Sequence, residues 1–261
     1  MSIAEELQSA MGSFGERMAR SMERPGLTMA VVTNINDEEK LNRVKCLPIE
    51  NENAEETDWC YVMAPLGGKE HGQFFFPSVN DLVVLGYLGG DPHRPFVLGA
   101  FWNTEVKPPY TIQDGKVHHF SIKTPSGTEL LFYDEPNKQK VTLTLPSGTV
   151  LSIDDENKAV SLKDKQGENA LEMDLQKGNV TLKAKTQLAL SAGETSIVLE
   201  SSGNLTQKAN GTVSIKAVTI EEKASNQISI QGATTQVKGD SVLNLQASGT
   251  ATLKGSLVNI N

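Results

Sequence analysis

The chain has 261 residues, and its hydrophobic fraction of 38% is enough for a packed core. A formal net charge of -8 and a pI near 5.1 argue against nucleic acid and anionic lipid as partners, because both select cationic surfaces. Aromatic residues make up only 5% of the sequence and end at Tyr133, so we expect the two halves of the chain to pack differently.

Cysteine content and the N-terminal sequence indicate the compartment. Cys46 and Cys60 are the only cysteines, which excludes a disulfide-dense scaffold and matches no zinc-site spacing. We interpret them as two small buried hydrophobes in neighbouring strands, with one disulfide as the open alternative. Acidic residues stand where a signal peptide needs basic ones, and the apolar run from Leu82 to Leu88 is far too short to span a bilayer. We therefore expect a soluble protein made in the cytoplasm.

Residues 1–24 predict an amphipathic helix. Its apolar side chains recur at steps of three or four, namely Ile3, Leu7, Met11, Phe14, Met18 and Met22. Pro25 and Gly26 then end the helix. The apolar stripe can pack on the chain's own barrel or on a partner chain, and periodicity does not distinguish the two.

Residues 25–105 predict a small β-barrel of about five strands. The apolar runs are Met29–Thr33, Arg43–Leu47, Trp59–Met63, Leu82–Tyr87 and Phe96–Ala100. Prolines and glycines lie between them, where tight turns need a fixed or positive φ. Residues 106–120, which include Pro108 and Pro109, predict a semi-rigid linker.

Residues 121–261 follow a repeat in which two apolar residues flank one other residue, mostly a polar one. The repeat units are Val141–Leu143, Leu151–Ile153, Val160–Leu162, Leu171–Met173, Val180–Leu182, Leu188–Leu190, Ile197–Leu199, Val213–Ile215, Val218–Ile220, Ile228–Ile230, Leu243–Leu245, Ala251–Leu253 and Val258–Ile260. The turn-like segments Thr124–Thr128 and Leu145–Thr149 are near copies of each other. Such self-similarity is typical of a stacked β-repeat architecture.

The repeat predicts a β-helical needle made by three chains. The two apolar side chains of a unit point to one face of a strand, so no unit can bury itself alone. Stacked units form a continuous thin core, and three intertwined chains close it into a triangular β-prism without free edges along its length. The fold class predicted is therefore all-β: an N-terminal helix, a barrel and a trimeric intertwined β-helix.

The barrel segment carries an ordered series of motifs. They are Arg43–Lys45, Asp58–Val62, Ala64-Pro65, Gly67-Gly68, Gly72, Phe76–Val84, Gly89–Gly99 and Trp102-Asn103. In this order they resemble the oligosaccharide-binding (OB) base of contractile-phage spike and baseplate-assembly proteins, and of the valine-glycine-repeat spikes of type VI secretion. The matching structural residues are Pro65, Gly72, Pro77, Asp81, Gly90, Asp91, Pro92, Pro95 and Gly99. Asn80 stands where that family usually has glycine, and we expect asparagine to tolerate the left-handed turn.

The resemblance implies a non-enzymatic, cofactor-free homotrimer that acts as the central spike of a phage tail, a tailocin or a phage-like particle. The barrel end would attach to a hub or baseplate protein, and the needle would pierce the target membrane when the sheath contracts. The apolar residues Leu257, Val258 and Ile260 predict a small PAAR-like tip protein as a cap. Such a spike is assembled in the cytoplasm and is extracellular after release of the particle.

Two further hypotheses belong to other functional classes. A polysaccharide-binding or polysaccharide-degrading tailspike could use acid pairs such as Asp154-Asp155 and Glu221-Glu222, although their place in predicted turns favours solvated charge. An effector carrier is the other hypothesis, with its cargo bound non-covalently. His118 and His119 would point to opposite faces of a strand, so no metal site is predicted.

Overall fold

The computed structural model describes residues 26–50 and 53–260, and the helix predicted over residues 1–24 lies outside them. The prediction of an all-β protein is confirmed for the described residues, in which the helical structure is a single 3-10 turn, Leu88–Gly90. The first seven strands are β1 Thr28–Asn34, β2 Arg43–Pro48, β3 Cys60–Val62, β4 Gly67–Gly68, β5 His71–Gly72, β6 Leu82–Tyr87 and β7 Pro95–Ala100. In this part of the chain no helix is long and apolar enough to cross a membrane.

Five of these strands close into a barrel in the order β1-β2-β3-β7-β6. All neighbours are antiparallel except β3 and β7, which run parallel. This is the topology of the predicted OB fold. Because side chains alternate along a strand, every second residue points into the barrel. The core consists of Ala30, Val32, Val44, Cys46, Cys60, Val83, Leu85 and Val97.

A second sheet has seven antiparallel strands in sequential order. Its strands are β8 His119–Lys123, β9 Glu129–Tyr133, β10 Lys140–Thr144, β11 Val150–Asp154, β12 Ala159–Lys163, β13 Ala170–Asp174 and β14 Asn179–Lys183. The two near-copy segments form the same turn. In one, Gly127 N–H donates to Thr124 O over 2.9 Å, and in the other, Gly148 N–H donates to Leu145 O over 2.8 Å.

A third sheet has three antiparallel strands, β15 Gln187–Ala192, β16 Thr195–Glu200 and β17 Leu205–Lys208. Residues 209–260 contain no strand, although the sequence predicts further repeat strands there. A β-strand needs a neighbour for its backbone N–H and C=O groups, and one chain gives these segments none.

The chain divides into two compact units, one ending at Lys185 and the other starting at Thr186. This division lies where the seven-stranded sheet ends, inside the region that the sequence assigns to the needle. The predicted linker, residues 106–120, connects the barrel to β8 within the first unit. Outside β8, the β-type backbone pairing in this linker consists of one isolated bridge between Gln113 and Lys116.

Replacement of the turn glycines tests how much these turns contribute to the stability of the seven-stranded sheet. Gly127 has φ 94 and Gly148 has φ 88, so alanine at either position should cost about 1–2 kcal/mol of the free energy of unfolding. A Cβ at Gly148 would also lie 2.8 Å from Lys165 Cβ and Cγ, whereas at Gly127 the nearest atom is 3.9 Å away. Gly148→Ala should therefore be the more destabilising variant in chemical denaturation. Equal losses for the two variants would contradict a clash with Lys165.

Candidate assembly surface

Several of the structural residues predicted in the barrel stabilise its turns. Asp81 Oδ2 accepts the Ser78 N–H over 2.8 Å, and Asp91 Oδ1 accepts the His93 N–H over 2.9 Å. Asn80 has φ 76, which confirms the left-handed turn expected there. A Cβ at Gly72 would approach Leu66 O to 2.5 Å, so this position needs glycine. These contacts give the residues structural roles.

The remaining residues of this group take similar positions. Pro65 precedes β4 and Pro77 precedes β6, while Gly90, with φ 77, closes the 3-10 turn. Pro92 follows Asp91 in the next turn; Pro95 is the first residue of β7 and Gly99 lies near its end. They are distributed over several loops and do not converge on one pocket.

The two cysteines are free thiols in the barrel core, so the interpretation as small buried hydrophobes is confirmed. Cys46 lies on β2 and Cys60 on the adjacent β3. The hydrogen bond with Cys60, together with burial, raises the pKa of the Cys46 thiol. The thiol is therefore protonated at neutral pH and unsuited to nucleophilic chemistry.

One charged cluster braces the loop between β1 and β2. Asp37 is the one charged or polar residue that is buried in the described part of the chain. Arg43 donates to both of its carboxylate oxygens, with Nε 2.9 Å from Oδ2 and Nη2 2.8 Å from Oδ1. The backbone N–H groups of Glu39 and Leu41 donate to the same carboxylate. The Arg43 hydrogen bond lowers the pKa of Asp37 to about 2.

The seven-stranded sheet aligns the apolar repeat residues into two columns on one face. The first column contains Ile122, Leu130, Leu143, Leu151, Leu162, Leu171 and Leu182. The second contains Phe120, Phe132, Val141, Ile153, Val160, Met173 and Val180. We call these fourteen side chains the apolar ladder. At about 4.8 Å per strand the ladder is about 29 Å long.

The apolar ladder is the more exposed side of the sheet. Val180 is 66% exposed and Ile153 is 52% exposed, and no ladder residue is buried. On the opposite face, polar side chains such as Thr142, Ser152 and Ser161 are half-buried. This inverts the usual distribution, because a soluble monomer rarely exposes an apolar patch larger than about 300–600 Å². The face therefore has the character of an interface.

The three-stranded sheet repeats the pattern with one exception. Leu188, Leu199 and Leu205 form one column, and Leu190 pairs with Ile197 in the other. That second column ends in Gln207, the one polar side chain in the columns of either described sheet. The predicted tip residues Leu257, Val258 and Ile260 lie in the part without strands and are exposed.

The linker is fixed to the polar face of the seven-stranded sheet by Tyr110. Its ring stacks on His119 with the centroids 4.3 Å apart, and its hydroxyl donates to Glu129 Oε1 over 2.7 Å. Burial and this hydrogen bond raise the pKa of Tyr110 to about 12. His118 contacts a different partner, the Asp134 carbonyl, over 3.1 Å.

The acid pairs that suggested sugar chemistry occupy different surroundings. Asp154 ends β11 and accepts hydrogen bonds from Asn157, and these bonds, with Lys140, lower its pKa to about 2. Its neighbour Asp155 forms an ion pair with Lys158 in the same turn. Glu221 and Glu222 lie in the stretch without strands. No group of three or more potential metal ligands is present among residues 26–50 and 53–260.

The known family that this chain matches covers the barrel. Residues 28–102 match a family described as the Type VI secretion system/phage-baseplate injector OB domain. The matched range coincides with the closed barrel from β1 to β7. Over this barrel the chain is therefore similar to the injector OB domain, and in this sense it is VgrG-like.

Individual relatives agree with this assignment of the injector OB domain. The actin cross-linking toxin VgrG1 of Vibrio cholerae is 28% identical over 97 residues, which is 36% of this chain and 9% of the toxin. The type VI secretion system spike protein VgrG5 of Pseudomonas aeruginosa is 36% identical over 58 residues, or 22% of this chain and 7% of that protein. The matched region thus spans less than a tenth of either relative.

The repeat strands of the ladder are predictable from the sequence, whereas the contacts that hold the loops around it are not. The polar loop that precedes the second apolar run is a weak indication of the Asp37–Arg43 ion pair. No local pattern indicates the contact of Tyr110, because its partner Glu129 is 19 residues away in the sequence.

The ion pair in the β1–β2 loop predicts an acid-dependent change in barrel stability. The pKa of Asp37 falls from 3.8 to about 2 on folding, so the stabilisation is complete above pH 4 to 5 and is lost as the pH falls toward 2. Asp37→Asn should lower the melting temperature at pH 6 and have much less effect at pH 2. Glu38→Gln, an exposed neighbour, serves as the control with no such trend. A deficit of equal size at both pH values would contradict the ionic role of Asp37.

Proposed function

We propose that the protein is a homotrimeric central spike of a contractile injection apparatus. The observation that carries the proposal is the apolar ladder, which follows an injector-like OB barrel in the same chain and in which nine side chains are exposed and none is buried. Burying one side chain of this size contributes about 1.5–3 kcal/mol. Fourteen such residues per chain supply a large driving force for association.

The repeat predicts that three chains cover their ladders together. In that arrangement each chain supplies one wall of a triangular prism and the apolar ladders face inward. Three sheets can close into a triangular prism whose interior is lined by the two columns from each chain. Separation of the chains would then expose all three ladders, so that dissociation and unfolding become one event.

The stretch from 209 to 260 supports the same architecture. It continues the apolar repeat with residues such as Ile215, Ile230 and Leu245, all exposed, and has no strand pairing within one chain. In an intertwined trimer the neighbouring chains supply both the ladder hydrogen bonds and the missing apolar contacts. We infer that this stretch becomes the narrow β-helical end of the needle.

The mechanical role follows from this shape. A prism without free edges resists bending and delivers thrust from a contracting sheath to a small area of the target membrane. The barrel end would attach to a hub or baseplate protein, and a small PAAR-like tip protein would cover Leu257, Val258 and Ile260. The spike itself needs no catalytic group for this task. It would be assembled in the cytoplasm and leave the cell as part of a phage tail or phage-tail-like particle.

A matched pair of substitutions on β12 tests the trimer. Leu162 belongs to the apolar ladder, whereas Ser161 points to the opposite face, where it pairs with Ser152 and Glu172. Leu162→Lys would place three unpaired ammonium groups in the prism, each costing several kcal/mol. Native mass spectrometry should find trimers for the unmodified chain and for Ser161→Lys, and monomers or aggregates for Leu162→Lys. A well-folded monomer of the unmodified chain would reject the proposal.

A second pair tests the cap. Ile260→Lys should leave the trimer intact but abolish binding of the tip protein, because the apolar apex would carry three charges. Asn259→Lys, on the alternate side of the same segment, should retain binding. Purified particles can be compared for tip content by quantitative mass spectrometry. A normal amount of tip protein in the Ile260→Lys particles would exclude the apex as its binding site.

A further inference from the structure

The outside of the barrel carries an apolar patch at the start of β1. We call it the β1 outer face, and it consists of Leu27, Met29, Val31, Leu47, Ile49 and Val84. The residues share one surface: Met29 pairs with Val84 and Val31 pairs with Leu47, while the Ile49 N–H donates to Met29 O. Leu27 is 68% exposed, and none of the six is buried.

The β1 outer face differs from the rest of the barrel exterior nearby. On β2, the outward positions Arg43 and Lys45 are charged, and each engages an acidic partner. Further along the same strand, the outward position Leu47 is apolar and 40% exposed. The change of character within one strand indicates that something apolar covers this end of the barrel.

We propose that the helix predicted over residues 1–24 folds back at Pro25-Gly26 and packs its apolar stripe on the β1 outer face of its own chain. The point of attachment supports this choice, because the patch begins at Leu27, immediately after that turn. The stripe residues Phe14, Met18 and Met22 would make the contact. This inference does not rest on the trimer, because the two surfaces belong to one chain.

The dimensions of the two surfaces match. Phe14 to Met22 spans about 12 Å along a helix axis, and Leu27 to Val31 spans about 14 Å along a strand. The connection through Pro25 and Gly26 makes three Cα steps from residue 24 to Leu27 and reaches about 10 Å, the distance needed to place a helix over a strand. Gly15 and Ala19 lie beside the stripe and, being small, allow close approach of the helix backbone.

Thiol crosslinking in the full-length protein tests the contact. Met18→Cys combined with Val31→Cys should be joined by a short bismaleimide within one chain, giving a species that migrates as a monomer on a denaturing gel. The native Cys46 and Cys60 are buried in the barrel core and should remain unreactive. The control replaces Arg17, which lies off the stripe, together with Val31, and should crosslink several-fold less.

Each outcome of the crosslinking decides the proposal. A crosslinked dimer would mean that a second copy occupies the β1 outer face, and equal yields from the Met18 and Arg17 pairs would mean that no specific docking occurs. Either result would overturn the inference. An intrachain link specific to Met18 supports it.

Oxidative footprinting gives an independent readout without new cysteines. If the stripe covers the β1 outer face, Met29 is protected from hydroxyl radicals in the unmodified chain. Met18→Asp with Met22→Asp should increase Met29 oxidation several-fold, while Arg17→Asp with Arg20→Asp, which lie off the stripe, should leave it unchanged. Unaltered Met29 oxidation in the first variant would overturn the inference, whatever the oligomeric state of the protein.

Discussion

The period of two residues along a β-strand is the constraint on which the region of repeat strands depends. When the apolar residues of each repeat unit occupy alternate positions, they must all point to one face of the sheet. A single antiparallel sheet has nothing with which to cover that face. A single chain therefore forms the backbone hydrogen bonds of the sheet from β8 to β14 by itself, but it leaves the side chains of the apolar ladder uncovered.

The barrel solves the same problem in a different way. Its five strands curve until β1 pairs with β6, so the inward residues from Ala30 to Val97 bury one another within one chain. Closure removes the sheet edges as well as the exposed apolar face. The protein thus joins a closed barrel to a sheet whose apolar face is not covered within one chain.

Turn chemistry determines the register that aligns the two columns of the ladder. The turns that contain Gly127 and Gly148 give two hairpins the same geometry. On the other side of the sheet, the turns contain residues with positive φ such as Asn137 and Lys158. A slip of one residue in any hairpin would move its apolar side chains to the polar face. The ion pairs across the strands, for example Lys163 with Glu172, remain on that polar face. A stiff sheet with one uniform apolar side is the result.

Several features could be predicted from local sequence. Alternation of apolar residues indicated the strands, glycine and proline indicated the turns, and the motif order from Pro65 to Gly99 indicated the OB barrel. Other features required the tertiary structure, because they depend on residues that are distant in sequence. Examples are the Tyr110–Glu129 contact, the column register of the ladder and the absence of strands after Lys208. The amino-acid sequence determined which faces are apolar, whereas only the folded chain decided which of them it can bury by itself, since burial depends on whether a sheet can close on itself.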